Sequence, residues 1–181
     1  MLGSKLKIRT INRREIEQVK NIDRSEIVDK IYYLEAGQLK LKNEFYNIRS
    51  WQVSDLEKNI EHLYKIYDKG GYLVGCFDSN KLVGVAALDS EFIGNNRDYL
   101  QLYFLHVDSK YRRTRIGSKL LKKVANHAKK LMAKKLYISA TPSQNTINFY
   151  INIGCQLVSE LNPDLYQLEP NDIHLELSLS D

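Results

Sequence analysis

The residues from Leu105 to Leu121 read Leu-His-Val-Asp-Ser-Lys-Tyr-Arg-Arg-Thr-Arg-Ile-Gly-Ser-Lys-Leu-Leu, an apolar run joined to a helical pattern by an arginine-rich loop. Such a passage aims free backbone N–H groups and the positive end of a helix at one point, which is what a phosphate requires. It is not a P-loop, because GxxxxGK[ST] is absent. It is not the dinucleotide fingerprint either, because Gly117 alone of the three glycines is present. The stretch reads as an anion cradle of another kind.

Charge along the chain supports that reading without deciding the anion. Eleven Lys or Arg and no Asp or Glu lie between Lys110 and Lys135, whereas the chain after Lys135 has no Lys or Arg and six acids: Glu160, Asp164, Glu169, Asp172, Glu176 and Asp181. The middle attracts anions and the tail cations, so nucleic acid, anionic lipid and a phosphorylated small molecule all suit the basic block. A solvated face of a Lys-rich helix is the plain alternative.

The elements that must position these residues follow from periodicity and turn signals. Lys5 to Arg9 reads as a short strand, and Asn12 caps a helical start through Gln18. Ile31 to Leu34 and Gln38 to Leu41 flank Glu35-Ala36-Gly37 as a hairpin. Ser54 caps an amphipathic helix carrying Leu56, Ile60, Leu63 and Ile66 that ends at Gly70-Gly71. Tyr72 to Phe77 and Leu82 to Leu88 form a second hairpin about Asp78-Ser79-Asn80. Tyr99 to Val107 is apolar on both faces, as a central strand is. A long helix spans Ile116 to Met132, a strand Leu136 to Ala140, and a second helix starts at a Ser143 cap and stops at Gly154. Cys155 to Val158 continues as a strand. Ile173 to Leu179 alternates apolar residues with His174, Glu176 and Ser178, the pattern of a half-exposed strand. Arg97 to Tyr99 is the one plausible join between two halves of the chain.

With 181 residues, 43% of them hydrophobic and 27% charged, the chain matches one ordinary globular domain over residues 1–181. No stretch approaches the roughly 18 to 20 apolar residues of a membrane span, and no leader pattern opens the chain, so the expected location is cytoplasmic, without a membrane. Cys76 and Cys155 lack CxxC or Cys/His spacing; both read as reduced thiols packed as small hydrophobes, and no metal site is indicated.

The cradle resembles the first motif of the GNAT superfamily of acyl-CoA-dependent N-acetyltransferases: a strand ending in Val, a Tyr-Arg loop, then Q/R-x-x-G-x-G/A opening a helix. Val107, Tyr111, Arg112, Ile116, Gly117 and Ser118 stand in register. A second block, strand then helix with Phe-Tyr and a closing Gly-aromatic pair, is similar to Ala140 through Cys155, where Gly154 is followed by Cys155, and the two blocks lie at the usual separation. Three positions depart from the pattern: Arg115 replaces the first motif glycine, and Arg113 and Ser109 stand where Gly and Pro are commoner. The resemblance implies a mixed α/β fold: a central, mostly antiparallel twisted sheet of about seven strands flanked by helices, with a parallel pair splayed at the acyl-CoA site.

The resemblance also implies roles. Arg113, Thr114, Arg115, Ile116, Gly117 and Ser118 would hold the pyrophosphate of acetyl-CoA with Arg112 beside them. The backbone of Leu105 and Val107 would pair with the pantetheine arm, with His106 between them and Ser143 nearby. Tyr150 matches the tyrosine that reprotonates the leaving thiolate. A phenol of pKa about 10 gives its proton to a thiol group of pKa about 8.5 only when well placed. The attacking amine must be neutral, and Glu91 and His106 are the candidate proton acceptors, with a water relay as the alternative. Asp23-Arg24-Ser25-Glu26, Tyr32, Tyr33 and Trp51 are candidates for the acceptor pocket.

Acetyl transfer to a primary amine by direct attack in a ternary complex is the expected function, since no cysteine matches a nucleophile position. The acceptor, a small-molecule amine or a protein amine, is undecided, and a homodimer is left open. A nucleic-acid-binding module using residues 112–135 is the rival from another class. It lacks a helix-turn-helix pair, an RNP pattern and zinc ligands, and so rests on charge alone. A family member that binds CoA without transfer is the third reading.

Overall fold

The computed structural model describes residues 6–179. Nine strands alternate with four α-helices: β1 Lys7–Thr10, β2 Glu26–Glu35, β3 Gln38–Ile48, α1 Val53–Asp68, β4 Tyr72–Asp78, β5 Lys81–Ile93, β6 Tyr99–Val107, α2 Ile116–Lys130, β7 Lys135–Ala140, α3 Gln144–Ile153, β8 Gln156–Leu157, α4 Pro163–Leu168 and β9 Ile173–Ser178. Seven strands form one sheet in the order β1-β4-β5-β6-β7-β9-β8, and β2 with β3 forms a separate hairpin. Every pairing in the large sheet is antiparallel except β6 with β7. This is the mixed α/β architecture that the resemblance implies, parallel pair included.

Alternation along the central strands builds two cores. Val83, Ala86 and Leu88 of β5 face Leu120 and Val124 of α2 and Ile147 of α3. Leu82, Val85 and Ala87 face the other way, with Leu63 and Ile66 of α1 and with Ile16 of the 3-10 helix Arg13–Asn21. A strand buried on both faces must be apolar at every position, which is why periodicity alone could not choose its inner face. Asn12 caps the 3-10 helix in a capping box with Glu15. Ala36 and Gly37, both at positive φ, make the two-residue turn of the β2–β3 hairpin. Its strands are longer than the tetrapeptides recognised in the sequence. Gly94–Asp98 is a tight connection between paired strands β5 and β6, so no domain boundary falls at Arg97.

Three local expectations are corrected. Ser54 lies inside the first turn of α1, which starts after Gln52 and has no side-chain cap. Met132 has left the long helix, with a φ of 68°. The last strand is buried rather than half-exposed from Ile173 to Glu176, because β7 and β8 flank it. His174 accepts or donates a 2.9 Å hydrogen bond with the Tyr137 hydroxyl. Glu176 accepts from Tyr99 (2.5 Å), Lys135 (3.0 Å) and the amide and hydroxyl of Ser159. Burial alone would raise the Glu176 carboxyl, yet these donors hold it at about 2. Lys5 and Asp181, named in the sequence analysis, lie outside the described residues.

Asp172, beside this strand, titrates the opposite way. It is half-buried, and burial, reinforced by Glu169, raises its carboxyl to about 7. The folded chain therefore holds this proton more tightly than the unfolded chain, whose aspartate titrates near about 3.9. The stability this gives is complete below pH about 4 and is lost as pH rises through about 7. Asp172→Asn, which mimics the protonated form, is expected to raise Tm by about 2 °C or more at pH 8 and to leave it unchanged at pH 4. Melting curves at both pH values check this; an equal shift at both would mean the charge is not the cause.

Candidate functional site

β6 and β7 pair only from Tyr99 to Gln101 against Lys135 to Tyr137. Beyond that point they diverge, which leaves the backbone of Leu105 to Val107 without a strand partner on the β7 side. The opening is part of a cleft of about 1160 Å³. One wall carries Tyr103, Leu105, His106 and Val107; the other carries Ser139 to Ser143 and, from α3, Phe149 and Tyr150. The β2–β3 hairpin closes one side: the Tyr32 amide donates to the Pro142 carbonyl at 2.7 Å, and Ile31 bridges to Ser143.

The basic loop meets this cleft at the start of α2. No side chain caps α2, and among the described residues none of the six backbone N–H groups from Arg113 to Ser118 donates to another residue. The start of α3 differs, since the Ser143 hydroxyl accepts from the Thr146 amide. A helix start that leaves its amides open onto a basic cleft could hold an anion there. Arg113 and Arg115 adopt the left-handed conformation, with φ of 62° and 65°. The loop therefore keeps a glycine-like backbone at two of the three positions where the sequence departs from the family pattern, the two at which glycine is expected, at a strain of about 1 kcal/mol or more each.

Gly117 matters for another reason. A Cβ there would stand 3.2 Å from the Phe149 ring and 3.8 Å from Val107 Cγ2, so the missing side chain keeps the gap between β6 and α3 open. Arg112 is committed elsewhere: its guanidinium donates to the Ser25 carbonyl (2.8 Å) and the Val107 carbonyl (3.3 Å), with Glu26 at 4.0 Å. Thr114 donates its hydroxyl to the Tyr111 carbonyl. Asp23 completes the brace. Its carboxylate accepts from the Ser109 hydroxyl at 2.6 Å and from the Ser25 amide, and these bonds hold it at about 2.

Tyr150 is 6% exposed, and its hydroxyl has no hydrogen-bond partner among the described residues. Burial, with the nearby Cys155 and Asp172, pushes its phenol well above the ordinary range, so it stays protonated. His106 packs edge-on against Trp51 (4.8 Å) and beside Phe104 (4.4 Å). Burial, together with the charges of Arg24 and Arg112, drives its imidazole down to about 3, which leaves it neutral and a weak base. Ser143 is buried in the wall and occupied by its capping bond and by Thr146 Oγ1 at 2.9 Å.

Glu91 is not brought to the cleft. It sits on the exposed end of β5, ion-paired with Lys69 at 2.8 Å, and that pairing lowers its carboxyl. Its place just past the second hairpin was its only signal, but β5 runs on through Ile93 and keeps Glu91 on its exposed end. Of the acceptor candidates, Arg24, Ser25 and Glu26 line the cleft; Tyr32 is held by Asn148 at 2.8 Å and forms no wall. Trp51 is buried, its indole donating to the Ile22 carbonyl at 2.8 Å. Sequence reasoning missed Tyr103, which lines the cleft, donates to Asn59 and stacks on His62. Its place within an apolar strand hid it.

Residues 38–154 match the family model described as acetyltransferase (GNAT) family. Solved structures with similar architecture include a nourseothricin acetyltransferase (TM-score 0.71, 14% identity, covering 97% of this chain and 99% of that one). A putative streptothricin acetyltransferase from Bacillus anthracis str. Ames in complex with acetyl coenzyme A gives a TM-score of 0.71 at 18% identity, covering 96% and 98%. The paia N-acetyltransferase from Thermoplasma acidophilum in complex with coenzyme A gives 0.63 at 16%, covering 96% and 99%. At these identities the likeness speaks for the fold. No curated protein sequence matches.

Proposed function

The chain belongs to the acetyltransferase (GNAT) family, and from that premise we propose that it transfers an acetyl group from acetyl-CoA to a primary amine by direct attack in a ternary complex. The observation that carries the proposal is the row of open amides from Arg113 to Ser118, set at the mouth of the β6–β7 splay. The residues fit the co-substrate: the amides and the start of α2 suit a pyrophosphate, and the unpaired edge of Leu105 to Val107 suits the amide-bearing arm. Arg113 and Arg115 add charge at the same rim, while Arg112 braces the loop.

Acetyl-CoA supplies an activated thioester carbonyl. The amine nitrogen forms the new C–N bond as the C–S bond breaks, Tyr150 gives its proton to the departing sulfur, and the amine loses one proton. With Glu91 outside the cleft and His106 a weak base, that last proton passes to water, and the Tyr150 phenolate takes a proton back from water, so the phenol is restored and the transfer is proton-neutral. Buried Cys76 and Cys155, both raised above the ordinary thiol range, supply no nucleophile.

The exposed Lys119, Lys122, Lys123, Lys129 and Lys130 of α2 favour one second reading, a nucleic-acid surface. Calorimetric titration of acetyl-CoA, with duplex DNA at the same salt as control, separates the two. Micromolar acetyl-CoA binding with weak, salt-sensitive DNA binding is the expected result. DNA binding without acetyl-CoA binding would overturn the enzyme reading.

A further inference from the structure

Arg24 is the one cleft-lining cation whose surroundings the proposed chemistry does not use. It follows Asp23, which is pinned to the anion loop, so the braced 23–26 segment holds its backbone in place. Its guanidinium lies 4.8 Å over the ring of Trp51, which is itself fixed by its bond to Ile22 and by stacking on Phe104. Arg24 is half-buried, yet among the described residues it makes no hydrogen bond and no ion pair. Asp55, Glu26 and Arg112 are close enough to act on its charge, but neither carboxylate comes within ion-pair reach. No sealed side-chain nitrogen among the described residues lacks a partner, so the unpaired nitrogens of Arg24 are open to solvent, and Arg24 lines the cleft.

Arg24 also stands where a side pocket of about 380 Å³ joins the main cleft; Tyr46 and Ile48 are shared between the two. The side pocket is lined further by Asn47, Arg49, Ser50 and Gln52, and Asp55 is its only acid among the described residues. Arginine has five donors and no acceptor, and its planar fork matches a carboxylate with two parallel bonds. A desolvated guanidinium without an anion is costly, and an anionic ligand relieves that cost. The contact with the Trp51 ring restrains the guanidinium, so less ordering remains to be done on binding.

We propose that Arg24 is the specificity-determining residue of the acceptor half of the cleft and docks a carboxylate, so that the acceptor is an amine that also carries a carboxylate, as an amino acid does. The proposal rests on the transfer reading above and names its substrate class. The cofactor's phosphates are the other source of the same anionic chemistry, and the test separates them.

The chain has a single tryptophan, Trp51, directly beneath Arg24. Its fluorescence reports occupancy without turnover. With CoA present, a panel of N-acetyl-amino acids and the matching N-acetyl-amino-acid amides is titrated as unreactive product-like probes. At least one acid is expected to bind about tenfold or more tightly than its amide. In Arg24→Met, which keeps an unbranched stem over Trp51, the difference should vanish, while acetyl-CoA affinity by calorimetry stays within about twofold. Arg24→Lys, with the charge but not the fork, should fall between. Amides binding as well as acids, no member of the panel binding, or an unchanged preference in Arg24→Met would each overturn the carboxylate assignment. Loss of acetyl-CoA affinity in Arg24→Met would overturn it in favour of the cofactor's phosphates. Failure of the wild-type chain to bind acetyl-CoA is a separate result, which removes the transfer reading itself.

Discussion

Tyr150→Phe is expected to lower kcat by about 10²-fold or more on an accepted amine, while the KM for acetyl-CoA changes by less than about twofold. The substitution removes one oxygen and nothing else. The Tyr150 ring packs at 5.0 Å against Phe149, a contact that phenylalanine keeps. Its hydroxyl bonds to no described residue, so the folded chain loses no internal hydrogen bond and Tm should hold or rise slightly. A tyrosine serving only to fill the wall would therefore give a variant as active as the parent. A proton donor for the leaving sulfur would not. Burial raises the phenol, which secures its proton at neutral pH but makes giving it up harder. Placement against the sulfur must compensate, and that is why the expected loss is large. Initial rates at saturating acetyl-CoA, with melting curves alongside, decide it; a rate within about twofold of the parent would exclude the general-acid role.

The elements around this site were legible where the signals are local. The Ser143 cap and the Gly154 stop bound α3, and Gly154 adopts the left-handed conformation that a helix end favours. The passage from Val107 to Leu121 showed a loop joining a strand to a helix through its arginines, its glycine and its change of period. The last strand was misread because alternation is also local. His174 and Glu176 look like solvent-facing positions, but their partners Tyr137, Tyr99 and Lys135 lie 37, 77 and 41 residues away in the chain. Only the sheet order brings them together. Asn162-Pro163-Asp164 did carry a readable start for α4: a capping asparagine, a first-turn proline and an acid, yet the helix was too short to show a period. Arg24 was legible as a charge near the pocket. Its lack of a partner was not, since that depends on where Asp55 and Glu26 end up in space.

Gly117→Glu should weaken acetyl-CoA binding by about 100-fold or more, equivalent to about 2.8 kcal/mol. Two effects act together. The Phe149 ring and Val107 leave room for barely a Cβ, so a longer side chain must turn into the gap that the pantetheine arm would occupy. A carboxylate placed there also stands among amides and arginines that would otherwise hold the pyrophosphate, and it competes for them. Gly117→Gln separates the two: a steric block gives nearly the same loss as Glu and little salt dependence, whereas repulsion gives a smaller loss that Glu restores only at low salt. Gly117→Ala asks Phe149 to yield by a few tenths of an ångström and should cost far less. The fold should tolerate all three, because position 117 lies in the first turn of α2, where replacing glycine gains up to about 1 kcal/mol of helix stability. Calorimetry on the three variants, each with a melting curve close to the parent's, gives the measurement. Normal affinity in a folded Gly117→Glu would mean that the anion cradle at the start of α2 is not where the cofactor's phosphates bind.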